Sequence, residues 1–319
     1  MVNLVRRHLL AGFALAGFGL VATGCAEAPR EPAAPRGDEP LLVPWRSVIG
    51  GFLAPPAPAF GLPAKPGGGA FVKWIAPGAL ALRGHELLVA DLANGRLWRA
   101  DLGAQTMSAI AGAPVGPGTA LALAPDQSAW VLDGAARQLL RFARDGRLLQ
   151  TLRSATPGPA AFALADGGAT LLVADAGLAQ WSELRTSGTA TTVLPREGER
   201  RITGSEAIAV GREAVFVLDR AAARVHRVAR DGRVLASLGE GVLKQPVALA
   251  VDRFERVFVA DAQGPALHVL NTATPASFDA AALRVQQIGG LAVDERTLAI
   301  ADRLLGQVQL YTLRAEPAR

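Results

Sequence analysis

One short pattern recurs along this 319-residue chain, an apolar run that ends on an aspartate. Its copies are Leu87-Leu88-Val89-Ala90-Asp91, Ala129-Trp130-Val131-Leu132-Asp133, Leu171-Leu172-Val173-Ala174-Asp175, Val215-Phe216-Val217-Leu218-Asp219, Val257-Phe258-Val259-Ala260-Asp261 and Leu298-Ala299-Ile300-Ala301-Asp302. Successive aspartates stand 42, 42, 44, 42 and 41 residues apart. A helical repeat would space its apolar residues by three and four over ten or more positions. Short β-branched and aliphatic runs broken by Gly, Pro and Asp at a period near 40 instead describe four-stranded blades set around an axis. The repeat therefore predicts an all-β chain, a six-bladed β-propeller.

The strands of each blade can be placed. An inner strand such as Ala79-Leu80-Ala81-Leu82, Ala120-Leu121-Ala122-Leu123 or Val247-Ala248-Leu249-Ala250-Val251 turns into the strand that ends on the repeated aspartate. Small residues suit a position where six backbones converge. A third strand follows, over residues 96–101, 138–142, 224–228, 266–270 and 307–313. The hairpins Ala143-Arg144-Asp145-Gly146-Arg147 and Ala229-Arg230-Asp231-Gly232-Arg233 then lead to the outer strand, Asp-Gly supplying the positive φ of a tight turn. After Asp302 there is room for a third strand but not a fourth. Residues 45–49 (WRSVI), ahead of blade one, are the candidate to fill that place and close the ring without an open edge. Residues 51–69, dense in Pro and Gly, read as a long surface loop.

This pattern resembles the NHL-repeat family of propellers, from about Trp45 to Leu313. The best copy is Gln245-Pro246-Val247-Ala248-Leu249-Ala250-Val251-Asp252 followed by Val257-Phe258-Val259-Ala260-Asp261, and Asp91, Asn94, Gly95 and Arg96 fall as the family's turn does. Gln180, Ala266 and Gln307 depart from that turn.

The amino terminus reads as an address. Arg6-Arg7 precede an uncharged apolar stretch and then Ala22-Thr23-Gly24-Cys25, the order of a signal peptide and too short for a membrane span. The last four residues resemble the bacterial lipobox, which implies cleavage after residue 24 and acylation of Cys25. Ala22 stands where that motif usually has leucine, so ordinary cleavage nearby is the alternative. Arg6-Arg7-His8-Leu9-Leu10 resembles a twin-arginine signal, and the general route fits the same segment. Residues 25–44, with five prolines, form a tether that cannot bury a core. The expected layout is thus a leader (1–24), the tether, the propeller (45–314) and a polar tail (315–319). Ala26 follows the cysteine in place of the aspartate that signals inner-membrane retention in bacterial lipoproteins. The resemblance therefore implies the periplasmic side of the outer membrane.

Charge and composition exclude several classes. The net charge is +5, but only Lys65, Lys73 and Lys244 among the 33 basic residues are lysine, and no block of like charge forms a phosphate-binding stripe. Nucleic acid is not an expected partner. One cysteine rules out a disulfide framework, a Cys-ligated zinc site and an iron–sulfur cluster. The aspartates Asp91, Asp133, Asp175, Asp219, Asp261 and Asp302 could suggest a Ca²⁺ ring, yet a carboxylate at the end of a strand ordinarily accepts hydrogen bonds from its own turn. They are assigned to turns. His226 and His268 both fall seven residues after their blade's aspartate, on different blades and too far apart to share a zinc. No nucleophile elbow, P-loop or HExxH motif is present. No metal or other cofactor is expected.

What remains is a face. Arg153, Arg196, Arg200, Arg201, Glu206 and Lys244 fall in the connections from an outer strand to the next inner one. The sequence thus predicts a non-catalytic envelope lipoprotein that binds a protein or glycan partner there and meets the membrane through its lipid. The alternative, drawn from the family resemblance, is an NHL-type lyase or hydrolase with a metal in the central channel.

Overall fold

The computed structural model describes residues 41–53 and 69–314. The expected leader, Cys25, the tether up to residue 40 and the tail lie outside them. Six sheets of four or more strands follow one another around an axis, the four blade strands of each running antiparallel. Their inner strands are Pro77–Arg83, Ala120–Leu123, Pro159–Ala165, Ala207–Val210, Pro246–Val251 and Ile288–Val293. Each second strand ends on the repeated aspartate, from Glu86–Asp91 in blade one to Thr297–Asp302 in blade six. Third strands such as Arg96–Asp101 and Gln138–Phe142 keep their expected bounds. The protein is a six-bladed β-propeller.

The core is divided by seam. Leu121, Val131 and Phe142 of blade two pack with Leu88 and Leu97 of blade one. Trp130 and Leu139 pack with Leu171 and Leu184 of blade three, and each further seam has its own buried cluster. A blade therefore buries both faces of its sheet against neighbours, which is why its second strand is apolar without alternation. Near the axis the backbones nearly touch. A Cβ on Gly290 in blade six would stand 2.4 Å from the Gly78 carbonyl oxygen of blade one.

The amino-terminal strand closes the ring. It spans Leu42–Val48 and pairs antiparallel with Gln307–Leu313, from Leu42 opposite Leu313 to Val48 opposite Val308. It starts three residues ahead of the expected Trp45, because Leu42 is buried with Leu313 and Tyr311. Pro44 is tolerated at a register shift on this outermost strand. The expected loop over 51–69 needs correction. Gly50–Leu53 lies parallel to the outer strand of blade one, with Phe52 opposite Thr106, and pairs on its other side with Phe71–Lys73. Blade one thus has six strands, since an outer strand's free backbone groups can recruit further pairing despite the surrounding Gly and Pro. Residues 54–68 lie outside the description.

Side chains also staple the seams. Glu86 of blade one takes Arg144 of blade two at 2.8 Å and its own blade's Arg99 at 2.6 Å. Arg99 continues to the Gln127 carbonyl of blade two at 3.0 Å. Arg230, which holds the same place as Arg144 in the repeated hairpin, reaches back to Glu183 and Asp166 of blade three at 2.9 and 3.1 Å. Glu255 of blade five takes Arg227 of blade four at 3.0 Å and the Glu213 amide at 2.7 Å. Gln150 donates to Thr186 O at 2.7 Å, Arg256 to Arg314 O at 2.6 Å and the Gly84 amide to Asp294 at 3.0 Å.

These staples differ in burial, and so in weight. Arg99 and Glu86 are 7% and 12% exposed, whereas Arg144 is 61% exposed. Glu86→Gln leaves a buried guanidinium without its counter-charge and should cost about 3 kcal/mol. Arg144→Ala removes an exposed pair worth less than about 1 kcal/mol. The expected result in denaturant unfolding is a clear drop in midpoint for the first and little change for the second; equal losses would show that Arg99 does not depend on Glu86.

Candidate functional site

Five of the six repeated aspartates fasten their blade to the chain that enters it. Asp91 accepts the amides of Ile75 and Ala76 at 3.0 and 2.9 Å, and the Asn94 side chain at 2.7 Å. Asp175 accepts Gly158 and Leu178, and Asp261 accepts Lys244, Gln245 and Gln263. Asp302 accepts Gln286, Gln287, Leu304 and Leu305. Asp133 takes only its own turn's Ala136 amide and is half-buried, where the other five are buried. Carboxylates so occupied by N–H donors have little left to offer a cation. Among the described residues no group of three or more His, Cys, Asp or Glu could hold a metal ion.

His226 and His268 take the same place in neighbouring blades, each in a third strand with a serine on one side and the aspartate on the other. His226 Nδ1 is 3.0 Å from Ser237 Oγ, and Nε2 is 3.6 Å from Asp219. For His268 the distances are 2.8 Å to Ser277 and 3.9 Å to Asp261. Both rings are buried, at 4% and 1% exposed. Burial alone would raise the Asp219 carboxyl, but the His226 ring, the Thr203 hydroxyl and the Thr203 and Ala222 amides hold it well below the usual carboxylate range. Burial lowers His268 below its ordinary value, with Asp261 opposing in part.

The candidate binding residues are spread over three adjacent seams. Arg153 ends the outer strand of blade two, Lys244 enters blade five, and both are exposed. Lys244 Nζ reaches only the Gly241 carbonyl, at 3.4 Å. Arg196, Arg200 and Arg201 come together on a two-strand hairpin between blades three and four, Arg196–Glu197 against Arg200–Arg201. Arg201 donates to the Leu178 carbonyl at 3.0 Å. Glu206 is half-buried and accepts the Arg220 amide at 3.1 Å, so it holds a turn. The hairpin also brings in an unforeseen residue. Arg196 forms a parallel bridge with Arg233, its amide donating to Gly232 O at 2.8 Å. A groove of about 570 Å³ opens there, lined by Thr192, Leu194, Arg196, Arg230 and Arg233 among others. Arg230 is spent on Glu183 and Asp166, while Arg196 and Arg233 are exposed and have no carboxylate partner among the described residues.

No protein-family model matches the sequence, and no curated protein matches it. Solved structures do resemble it. A virginiamycin B lyase from Staphylococcus aureus superposes with TM-score 0.56 at 10% identity, over 75% of this chain and 95% of that one. A protein of unknown function from Bacteroides thetaiotaomicron gives 0.59 at 13% identity, over 78% and 72%. Hydrazine synthase from Kuenenia stuttgartiensis gives 0.54 at 9%, over 82% and 100%. At such identities the likeness is one of fold.

The buried His268 makes stability depend on acid. Its folded form resists protonation, so the contribution is complete above about pH 6.5 and drains as the pH falls and the unfolded chain takes up the proton. Asp219, depressed in the fold, adds a second loss only below about pH 4. The melting temperature should hold from pH 8 to 7 and fall between 6.5 and 5, and His268→Gln should flatten that segment. An unchanged slope in the variant would separate the acid loss from this ring.

Proposed function

We propose that this chain is an envelope lipoprotein, held through an acylated Cys25 on the periplasmic side of the outer membrane, whose propeller captures an anionic protein or glycan partner. The observation that carries the reading is the pairing of Arg196 with Arg233 beside an open groove, next to the exposed Arg201. Arg99, Arg144, Arg227 and Arg230, by contrast, are consumed as seam staples. Here Arg196 and Arg233 are exposed and neither is ion-paired among the described residues, although Asp231 also lines the groove, and arginine's planar fork suits carboxylates better than lysine's point charge. Arg153 and Lys244 extend the same positive character to the adjoining seams. Lyase activity is a property of the Staphylococcus aureus fold neighbour; in this chain His226 and His268 are buried between serine and aspartate.

Two variants test the parts separately. Cys25→Ser should move the protein from the membrane to the soluble fraction, and retention on the membrane would overturn the anchor. Replacing Arg153, Arg196 and Arg201 together by Glu should leave the circular dichroism intact and abolish partner recovery from envelope extract, where an identical partner profile would remove this face.

A further inference from the structure

A second opening lies where the turns between inner and second strands of blades five, six and one meet at the mouth of the axis. It is a cavity of about 570 Å³, lined by Leu82, Arg83, Gly84, Val251, Asp252, Arg253, Val293 and the run from Asp294 to Thr297. Such a volume lies within the roughly 300–1,000 Å³ range of small-molecule sites. Its floor is aliphatic, from Leu82, Val251 and Val293, and its rim is charged.

The rim's carboxylates are already engaged. Asp252 is buried against Arg256 at 2.6 Å and also takes the Phe254 and Arg256 amides. Asp294 accepts three amides, those of Gly84, Arg296 and Thr297, at 3.0, 3.0 and 2.9 Å. Glu295 pairs with Arg253 at 3.2 Å. Arg83 and Arg296 are exposed, and neither has a carboxylate partner among the described residues. Asp294 also sets their arrangement. By binding the amide beside Arg83 on one blade and the amide of Arg296 on the other, it fixes the two arginine-bearing turns against each other across the seam. Counting Arg256 behind the rim, four arginines face three carboxylates, so 4 − 3 leaves one positive charge uncompensated.

We propose that this mouth is a binding site for a small carboxylate-bearing molecule, a sugar acid or a carboxyl-terminated peptide. The carboxylate is held between Arg83 and Arg296, and the body of the ligand lies on Leu82, Val251 and Val293. Two guanidinium forks lining one cavity supply charge and paired donors for a carboxylate, and the aliphatic floor accepts a sugar face or a short side chain. This site is separate from the Arg196 groove and stands whether or not that groove binds a partner.

Calorimetric titration of the full-length protein in detergent tests it, with galacturonate and the dipeptide Ala-Ala as probes and galactose and Ala-Ala amide as their neutral counterparts. The expected result is saturable binding of at least one acid and none of its neutral partner. Arg83→Ala and Arg296→Ala should each weaken it tenfold or more, whereas Arg212→Ala, at an exposed arginine in the corresponding turn of blade four that does not line the cavity, should leave it unchanged. Preference between the two acids identifies the source of the carboxylate. Melting curves verify that each variant is folded. Absence of saturable binding to both acids, equal binding of acid and neutral probe, or undiminished affinity in a folded Arg83/Arg296 double variant would overturn the proposal.

Discussion

The pairing of Leu42–Val48 with the last strand of the chain is the interaction on which the rest of the structure depends. Each blade buries its sheet between two neighbours, so every seam needs both partners, and an open ring would leave one pair of blades half-covered. The join is made by sequence drawn from in front of the first repeat. It is reinforced from within by the Gly84 amide on Asp294 and by the close approach of Gly290 to Gly78. Tyr311, in the strand that receives the closing segment, donates its hydroxyl to the Leu283 carbonyl, and burial pushes that phenol up to about 12.

Closure leaves the two ends of the ring with different work. The aspartates at one end bind the incoming chain through its amides, which leaves the long connections free to carry side chains such as Arg196 and Arg201. At the other end, carboxylates and arginines are spent on neighbours: Glu86 with Arg144, Glu183 with Arg230, Glu255 with Arg227. The two proposed sites draw on cations this stapling leaves over, Arg196 and Arg233 in one groove and Arg83 and Arg296 in the other.

The architecture was legible because the period is short and every repeat carries the same aspartate. The third strand of blade one therefore begins at Arg96 and ends at Asp101 as expected. Pairings outside the period were not legible. Phe71–Lys73 is flanked by glycine-rich sequence that reads as loop, and only an available strand edge makes it β. Arg144 and Arg230 were visible as members of one hairpin motif, but their partners Glu86 and Glu183 lie a blade away. Arg196 and Arg233 stand 37 positions apart, and nothing local announces their bridge. The histidines did carry a signal, since Asp219-His226 and Asp261-His268 share a seven-residue spacing. Ser237 and Ser277 follow at unequal distances, because the intervening hairpins differ in length.

Thermal unfolding of a variant lacking residues 42–48 tests ring closure most directly. Losing about four net hydrogen bonds at ~1 kcal/mol each and the burial of Leu42, about 2 kcal/mol, removes about 6 kcal/mol. At roughly 2 °C or more per kcal/mol, the melting temperature should fall by about 12 °C or more. Amide exchange along Gln307–Leu313 should accelerate as that strand becomes an edge. A deletion variant that melts with its parent and keeps those amides protected would contradict closure by the amino-terminal strand.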